Sequence, residues 1–251
     1  MDKYWVKIQK RLPNRKLRVV EKVVPRKQVI LSAYFTTKKD PQRGCFVPED
    51  KFNKIQGWYG SICDLGLSGV IFYDNLSDKF ISNYENDYVR FVKYKLRTER
   101  SVNDERFYCW NEYLLGNLDI DDTYLTDLFD VRFVRDPFSV VDGKYRIYCG
   151  DHGGGMNGWI FRQMRRAYGR TFHEDKMRLN CGAIGGSRND ILRLLGAMLV
   201  DFDKVNNSNC VDMAVFNKCV YDLFYGGILH GKPVAGRFRG RDRGIYCIKH
   251  K

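Results

Sequence analysis

Two carboxylates three residues apart, Asp127 and Asp130, end an apolar run in "LTDLFDVRFVRDPF", residues 125–138. Acids at the end of such a run have three physical uses. They can hold a hard divalent cation, which prefers carboxylate, water and phosphate oxygens and which would neutralise a leaving diphosphate. They can serve the chain itself, with Asp127 capping a turn and Asp130 pairing with Arg132 or Arg135. Or they can be ordinary solvated acids. The spacing alone leaves all three open.

Other residues could join them. Asp212 follows Cys210 and Val211 at a helix start, where an acid suits the positive end of the dipole. Aimed into a cleft, it could instead act as a general base toward a hydroxyl. Nothing local marks His250; His230, in "ILHGKPV", competes with it as a metal ligand, and His152 and His173 read as loop residues. Gly153, Gly155 and Gly158 spell G-x-G-x-x-G with Glu174 and Asp175 further on, a dinucleotide fingerprint on paper. It arrives mid-chain and not at a first strand-to-helix turn, so these glycines predict a mobile loop over a site. The basic stretches "RQMRRAYGR" and "GRFRGRDRG" suit RNA contact, a solvated surface, or an arginine among Arg237, Arg239 and Arg241 folding over a diphosphate.

The elements that must position these residues follow from composition and patterning. A formal net charge of +13 points to an anionic partner: nucleic acid, a membrane surface or a phosphorylated small molecule. The 44% hydrophobic and 14% aromatic content is that of a folded globular chain. Eight cysteines without a C-x-x-C pair sit mostly in apolar runs, which predicts free thiols and a reducing compartment. The N-terminus lacks a secretory h-region, and no stretch approaches the ~18 apolar residues of a membrane span, so a soluble protein is expected.

Residues 1–26 read as a basic N-terminal extension, and residues 27–251 as one domain without repeats or linkers. "QVILSAYF" (28–35) is a strand of the doubly buried kind. A helix from about 48 to 65 closes on Gly66. "SGVIFYDN" (68–75) and "YVRFVKYKL" (88–96) are strands, the first ending at Asp74. Residues 103–116 form a helix with Asn103 or Asp104 as N-cap and Gly116 just past its end. Residues 123–134 read as a fourth strand. The second half adds a strand at 144–151, a basic helix at 159–169, a short strand running into a glycine turn at 179–187, and helices at 188–205 and 210–224. Strand and helix alternate, giving an α/β fold with a mixed, mostly parallel sheet flanked by helices. Ligands sit at the C-terminal edge of such a sheet, where Asp74, Asp127 and Asp130 fall.

In order, these pieces resemble the GT-A glycosyltransferases. "LTDLFDVRFVRDPF" is similar to their acidic metal-binding segment, although D-x-x-D replaces D-x-D and Asp130 aligns better than Asp127. "VILSAYFTT" resembles the first strand and nucleotide-cradling loop. "NDERFYCWNEYLL" resembles the helix before the acids. "LNCGAIGGS" resembles the acceptor-side stretch, "VDMAVFN" the start of the acid-bearing helix, and "IYCIKH" the late histidine of the metal site.

The resemblance implies a GT-A-like, Rossmann-like fold and a metal-dependent transfer of sugar from a UDP- or GDP-linked donor to a glycan or glycoconjugate hydroxyl. Mn2+ or Mg2+ would be held by Asp130, Asp127 and His250, with contact to the ribose as another role for Asp127. Tyr34, Thr36 and Asp74 would lie near the nucleoside, and Arg106 near the phosphates or donor sugar. Gly185, Gly186 and the catalytic Asp212 would lie on the acceptor side. A cytoplasmic setting, bacterial, viral or host, fits, with the basic surface able to touch a membrane. Two rivals stand beside it: a basic nucleic-acid-binding module, which the resemblance disfavours, and a nucleotidyltransferase using the same carboxylates.

Overall fold

The computed structural model describes residues 26–97, 99–205, 210–237 and 243–250. The basic extension apart from Arg26, together with Arg239 and Arg241, lies outside the described residues. In chain order the elements are β1 (Gln28–Tyr34), α1 (Phe52–Asp64), β2 (Gly69–Tyr73), α2 (Asp78–Tyr84), β3 (Val89–Lys93), α3 (Val102–Gly116), β4 (Asp122–Thr126) and β5 (Val131–Phe133). They continue as β6 (Ile147–Gly155), α4 (Gly158–Tyr168), β7 (Met177–Ser187), α5 (Arg188–Lys204), α6 (Asp212–Phe224), β8 (Ile228–His230) and β9 (Ile248–His250). A 3-10 turn, Pro137–Val140, follows β5.

Seven strands form one sheet in the order β3-β2-β1-β4-β7-β6-β8. The first four are parallel, β7 runs against both β4 and β6, and β8 is parallel to β6. The chain is therefore α/β with a mixed, mostly parallel sheet flanked by helices. Alternation along β1 explains the two cores. Val29 and Leu31 face Phe107, Trp110, Met198, Phe202 and Phe216 of α3, α5 and α6. Ile30 and Tyr34 face Ile55, Trp58 and Ile62 of α1 and Phe80 of α2. A strand buried on both faces reads as a nearly continuous apolar run, as β1 does. Among the described residues no helix is long and apolar enough to cross a membrane.

Several expectations are corrected. The fourth strand stops at Thr126, whose hydroxyl accepts from Trp58 Nε1 (2.9 Å). The chain then leaves the sheet, and β5 pairs instead with β9 in a second, two-stranded sheet. Helix α3 is capped by Ser101, whose hydroxyl accepts from Asp104 N, and not by Asn103 or Asp104. The helix includes Gly116. Helix α2 was not expected; Ser77 starts it by accepting from Phe80 N. The run 150–155 is no loop. It extends β6, pairing with β7 as far as Gly155 opposite Met177 with register shifts on the way.

Nor do Gly185 and Gly186 form a turn; both are strand residues of β7. Gly185 lies directly opposite Tyr124 in the ladder, and the phenol ring fills the space where a Cβ would go. Tyr124 is fully buried, so the ring has nowhere to move. Overpacking of this kind costs roughly 1–3 kcal/mol. Gly185→Ala should therefore lower the melting temperature by several degrees, and a calorimetric scan unchanged from wild type would refute the close approach.

Candidate functional site

A cleft of 790 Å³ opens along the C-terminal edge of the parallel strands, in the size range of small-molecule sites. One end is walled by Ala33 near the end of β1, by Phe35 just after it and by the turn 40–43. The loop after β4, residues 126–130, forms its floor beside Arg106, Asp212 and His250. The far end is built by Trp159, Gln163 and Arg166 of α4 and by Arg178 and Asn180 of β7.

The floor is a chain of alternating charges. Arg106, on the first turns of α3, donates through Nη1 to Asp127 Oδ1 and through Nη2 to Asp212 Oδ2 (3.1 Å). Asp127 Oδ2 stands 3.2 Å from His250 Nε2, and Asp130 Oδ1 lies 3.5 Å from the same nitrogen. The side chain of His250 is 5% exposed, against 26% and 27% for Asp127 and Asp130. Residues 120 positions apart meet because β9 pairs with β5 in a register that sets His250 opposite Val131, next to Asp130.

Burial disfavours a charge on His250, but the two carboxylates outweigh it and lift its pKa to about 9. Burial alone would raise Asp127; the Arg106 charge, followed by the His250 contact, holds it well below the usual carboxylate range. His152, further along the cleft, is driven the other way. Burial, then the charges of Arg178 and His250, lower it to about 4, so it is neutral at physiological pH.

Two clusters have the ligand types for a cation: Asp127, Asp130 and His250, and the fully buried Asp104, Cys210 and Asp212. The chemistry separates them. In the second, burial and then the Asp212 charge push the Cys210 thiol well above its ordinary pKa, so it keeps its proton. Burial, then Asp212, raises Asp104 to about 7. Both oxygens of Asp212 are already taken, by Arg106, Met213 N and the Cys181 and Cys210 thiols.

The first cluster offers two carboxylates and an imidazole that face the cleft, a donor set suited to Mn2+ and tolerable for Mg2+. Space has been left for it. A Cβ at Gly182 would overlap His250 Cε1 and fall 2.5 Å from Asp127 Oδ2. Asp127 can offer a cation only Oδ2, since Arg106 holds Oδ1.

The other expected site residues are distributed differently. Asp74 accepts from the backbone N–H of Thr36 (2.8 Å) and Thr37 (2.9 Å), and its carboxylate clamps the turn after β1 from behind. Tyr34 points into the core and donates to Pro48 O (2.7 Å). Tyr34, Thr36 and Asp74 thus shape the cleft wall without lining it, whereas Phe35 lines it. Gly185 and Gly186 sit away from the cleft, and Gly182 of the same strand is the glycine at the site. His230 pairs with Asp151 (2.9 Å) outside it. Asp104 and Gly182 were missed. Their only sequence signals are an acid three residues after a helix-capping serine and a lone glycine in a strand.

Compared with known proteins, the chain matches no protein-family model and no curated protein.

Without metal, a proton on His250 occupies the position between the two carboxylates. Its folded-state pKa is raised, so the stability it confers is complete below the ordinary histidine value of about 6.5 and is lost as pH climbs through about 9. EDTA-treated protein should lose melting temperature between those limits. Saturating Mn2+ should flatten the profile, and its affinity should rise by up to about tenfold per pH unit until His250 has lost its proton. A metal-free profile level across this range would contradict the ion-paired histidine.

Proposed function

We propose that the protein is a metal-dependent glycosyltransferase of the GT-A kind, transferring sugar from a nucleotide-diphosphate donor to a hydroxyl acceptor. The observation that carries the reading is the convergence of Asp127, Asp130 and His250 around the space left by Gly182, in a cleft at the C-terminal strand edge. The strand-edge acids and late histidine are also what the resemblance to GT-A enzymes leads one to expect.

In this reading Asp130, Asp127 and His250 would hold Mn2+ or Mg2+, which would supply positive charge for a departing diphosphate. Arg106 is a positioning residue. With both terminal nitrogens committed, it fixes Asp127 and keeps it ionised in place of reaching for the donor. Asp212 anchors Arg106 in turn. Both of its oxygens are engaged by four donors of the protein itself, so its place in this reading is to hold Arg106 and not to reach an acceptor hydroxyl. The nucleoside belongs at the β1 end, against Phe35, Val47 and the turn 40–43, with Asp74 holding the wall from behind. Preorganised charge and two substrates held in one cleft then supply the rate.

Thermal shift with UDP, GDP, CMP and their sugar conjugates, with and without Mn2+, tests this. One nucleoside diphosphate should raise the melting temperature by several degrees only with metal, as mass action requires, and Asp130→Ala should abolish the shift. Product analysis with the matching donor should show a released nucleoside diphosphate; pyrophosphate would favour a nucleotidyltransferase. If no nucleotide shifts the folded protein, the transferase reading falls.

A further inference from the structure

The far wall of the cleft has chemistry that neither a metal nor a nucleotide at the β1 end uses. On α4, Trp159, Gln163 and Arg166 recur at helical spacing and all face the cleft, while Ile160 and Met164 are buried beneath them. Trp159 is 39% exposed, in contrast to Trp58 and Trp110, which are fully buried. Gln163 Oε1 is buried without a hydrogen-bond partner, and so is Arg178 Nε on the facing strand β7. Arg178 has no carboxylate partner among the described residues, and burial alone lowers its pKa. A guanidinium taken partly out of water with no counter-charge lacks the partner that usually justifies its burial. Gln163 lacks a donor at its carbonyl. The two vacancies are complementary: one asks for an anion, the other for an N–H or O–H.

Position decides what fills them. Residues 178, 180 and 182 of β7 all line the cleft, and Gly182 lies against His250 and Asp127 at the proposed metal centre. Four residues at ~3.3 Å each put Arg178 up to about 13 Å along the strand from that centre. A diphosphate neutralised by a cation at Asp127, Asp130 and His250 would lie near those residues, and Asn180, 3.3 Å from His152, precedes Arg178 along the cleft. The sheet order places the nucleoside end over β1, the acids after β4, and this wall over β7 and α4.

Resting on the transferase reading, we propose that this wall is the acceptor subsite and that the acceptor is an anionic saccharide. Its carboxylate or phosphate is received by Arg178 and Arg166, its ring lies on the indole of Trp159, and a hydroxyl donates to Gln163 Oε1. Arginine suits either anion through its planar fork of donors, and an indole offers a flat apolar face to the C–H face of a sugar.

The test uses the full chain with glucuronate, glucose 6-phosphate, glucose and inorganic phosphate, read by tryptophan fluorescence and titration calorimetry. At least one of the two charged sugars should bind more tightly than both glucose and inorganic phosphate, by roughly tenfold or more, the value of one charge-assisted hydrogen bond. Arg178→Gln should remove that margin. Arg166→Gln, at an exposed position where a substitution costs little stability, should reduce it, and Trp159→Phe should silence the fluorescence change. The Mn2+-dependent nucleotide shift should survive all three substitutions. Equal binding of glucose and the charged sugars overturns the proposal, as does inorganic phosphate binding as tightly as the sugars. Loss of the nucleotide shift in Arg178→Gln overturns it too, by giving the arginine to the donor. Tight, Arg178-dependent binding of a charged sugar with no nucleotide shift in wild type would leave the anionic subsite standing and sink the transferase reading alone.

Discussion

The buried guanidinium of Arg106 is the constraint on which the cleft depends. It joins α3 to the loop after β4 and to the start of α6, three segments that share no strand pairing. Burying a cation is costly unless its partners are close and well aimed, and here each terminal nitrogen has a carboxylate. The consequence runs outward. Asp127, held ionised by Arg106, attracts a proton onto His250, and His250 in turn faces Asp130. Three carboxylates thus alternate with two cations along one line. Removing the proton from His250 leaves an excess of negative charge in a poorly solvated place. A divalent ion in place of that proton would bring more charge to the same point, so proton and cation would compete for one position among Asp127, Asp130 and His250.

Backbone space is the second requirement, met by glycines spaced along a single strand. At Gly182 the vacancy admits the imidazole and one oxygen of Asp127; at Gly185 it admits the ring of Tyr124. One makes room for the charged cluster, the other for the core. Both lie on β7, the strand where the parallel half of the sheet meets the antiparallel half, and its register with β6 shifts between the partners of Asn180 and Ile184.

How much of this could be read from the sequence depended on the range of the interaction. Strand β1 declares itself because burial on both faces leaves no polar interruption, and the acids declare themselves by ending an apolar run. The strand expected through Val134 failed since Leu128 and Val131 are as apolar as strand residues but pack under α1 after the chain has turned. Tyr34 and Phe35 differ by one position and hence by one face; hydrophobicity cannot say which enters the cleft. Glycine-rich 150–155 reads as flexible because the partner that makes it a strand, β7, comes some twenty residues later. Asp104 is the extreme case. Its proton depends on Asp212, more than a hundred residues away, and on the burial that the assembled fold creates.

The chain's high positive charge acquires a local meaning from the cleft. Its floor carries the surplus of carboxylates, while its far wall carries Arg166 and Arg178 without acids to match among the described residues. A uniformly basic groove would favour polyanions such as nucleic acid, which gain affinity from every neutralised phosphate along their length. An acidic floor interrupts that gain, because a phosphodiester backbone crossing it would meet repulsion unless a metal intervened. In the transferase reading a metal-bound donor would settle the imbalance of the floor and an anionic acceptor that of the wall, a condition more selective than the net charge of the protein.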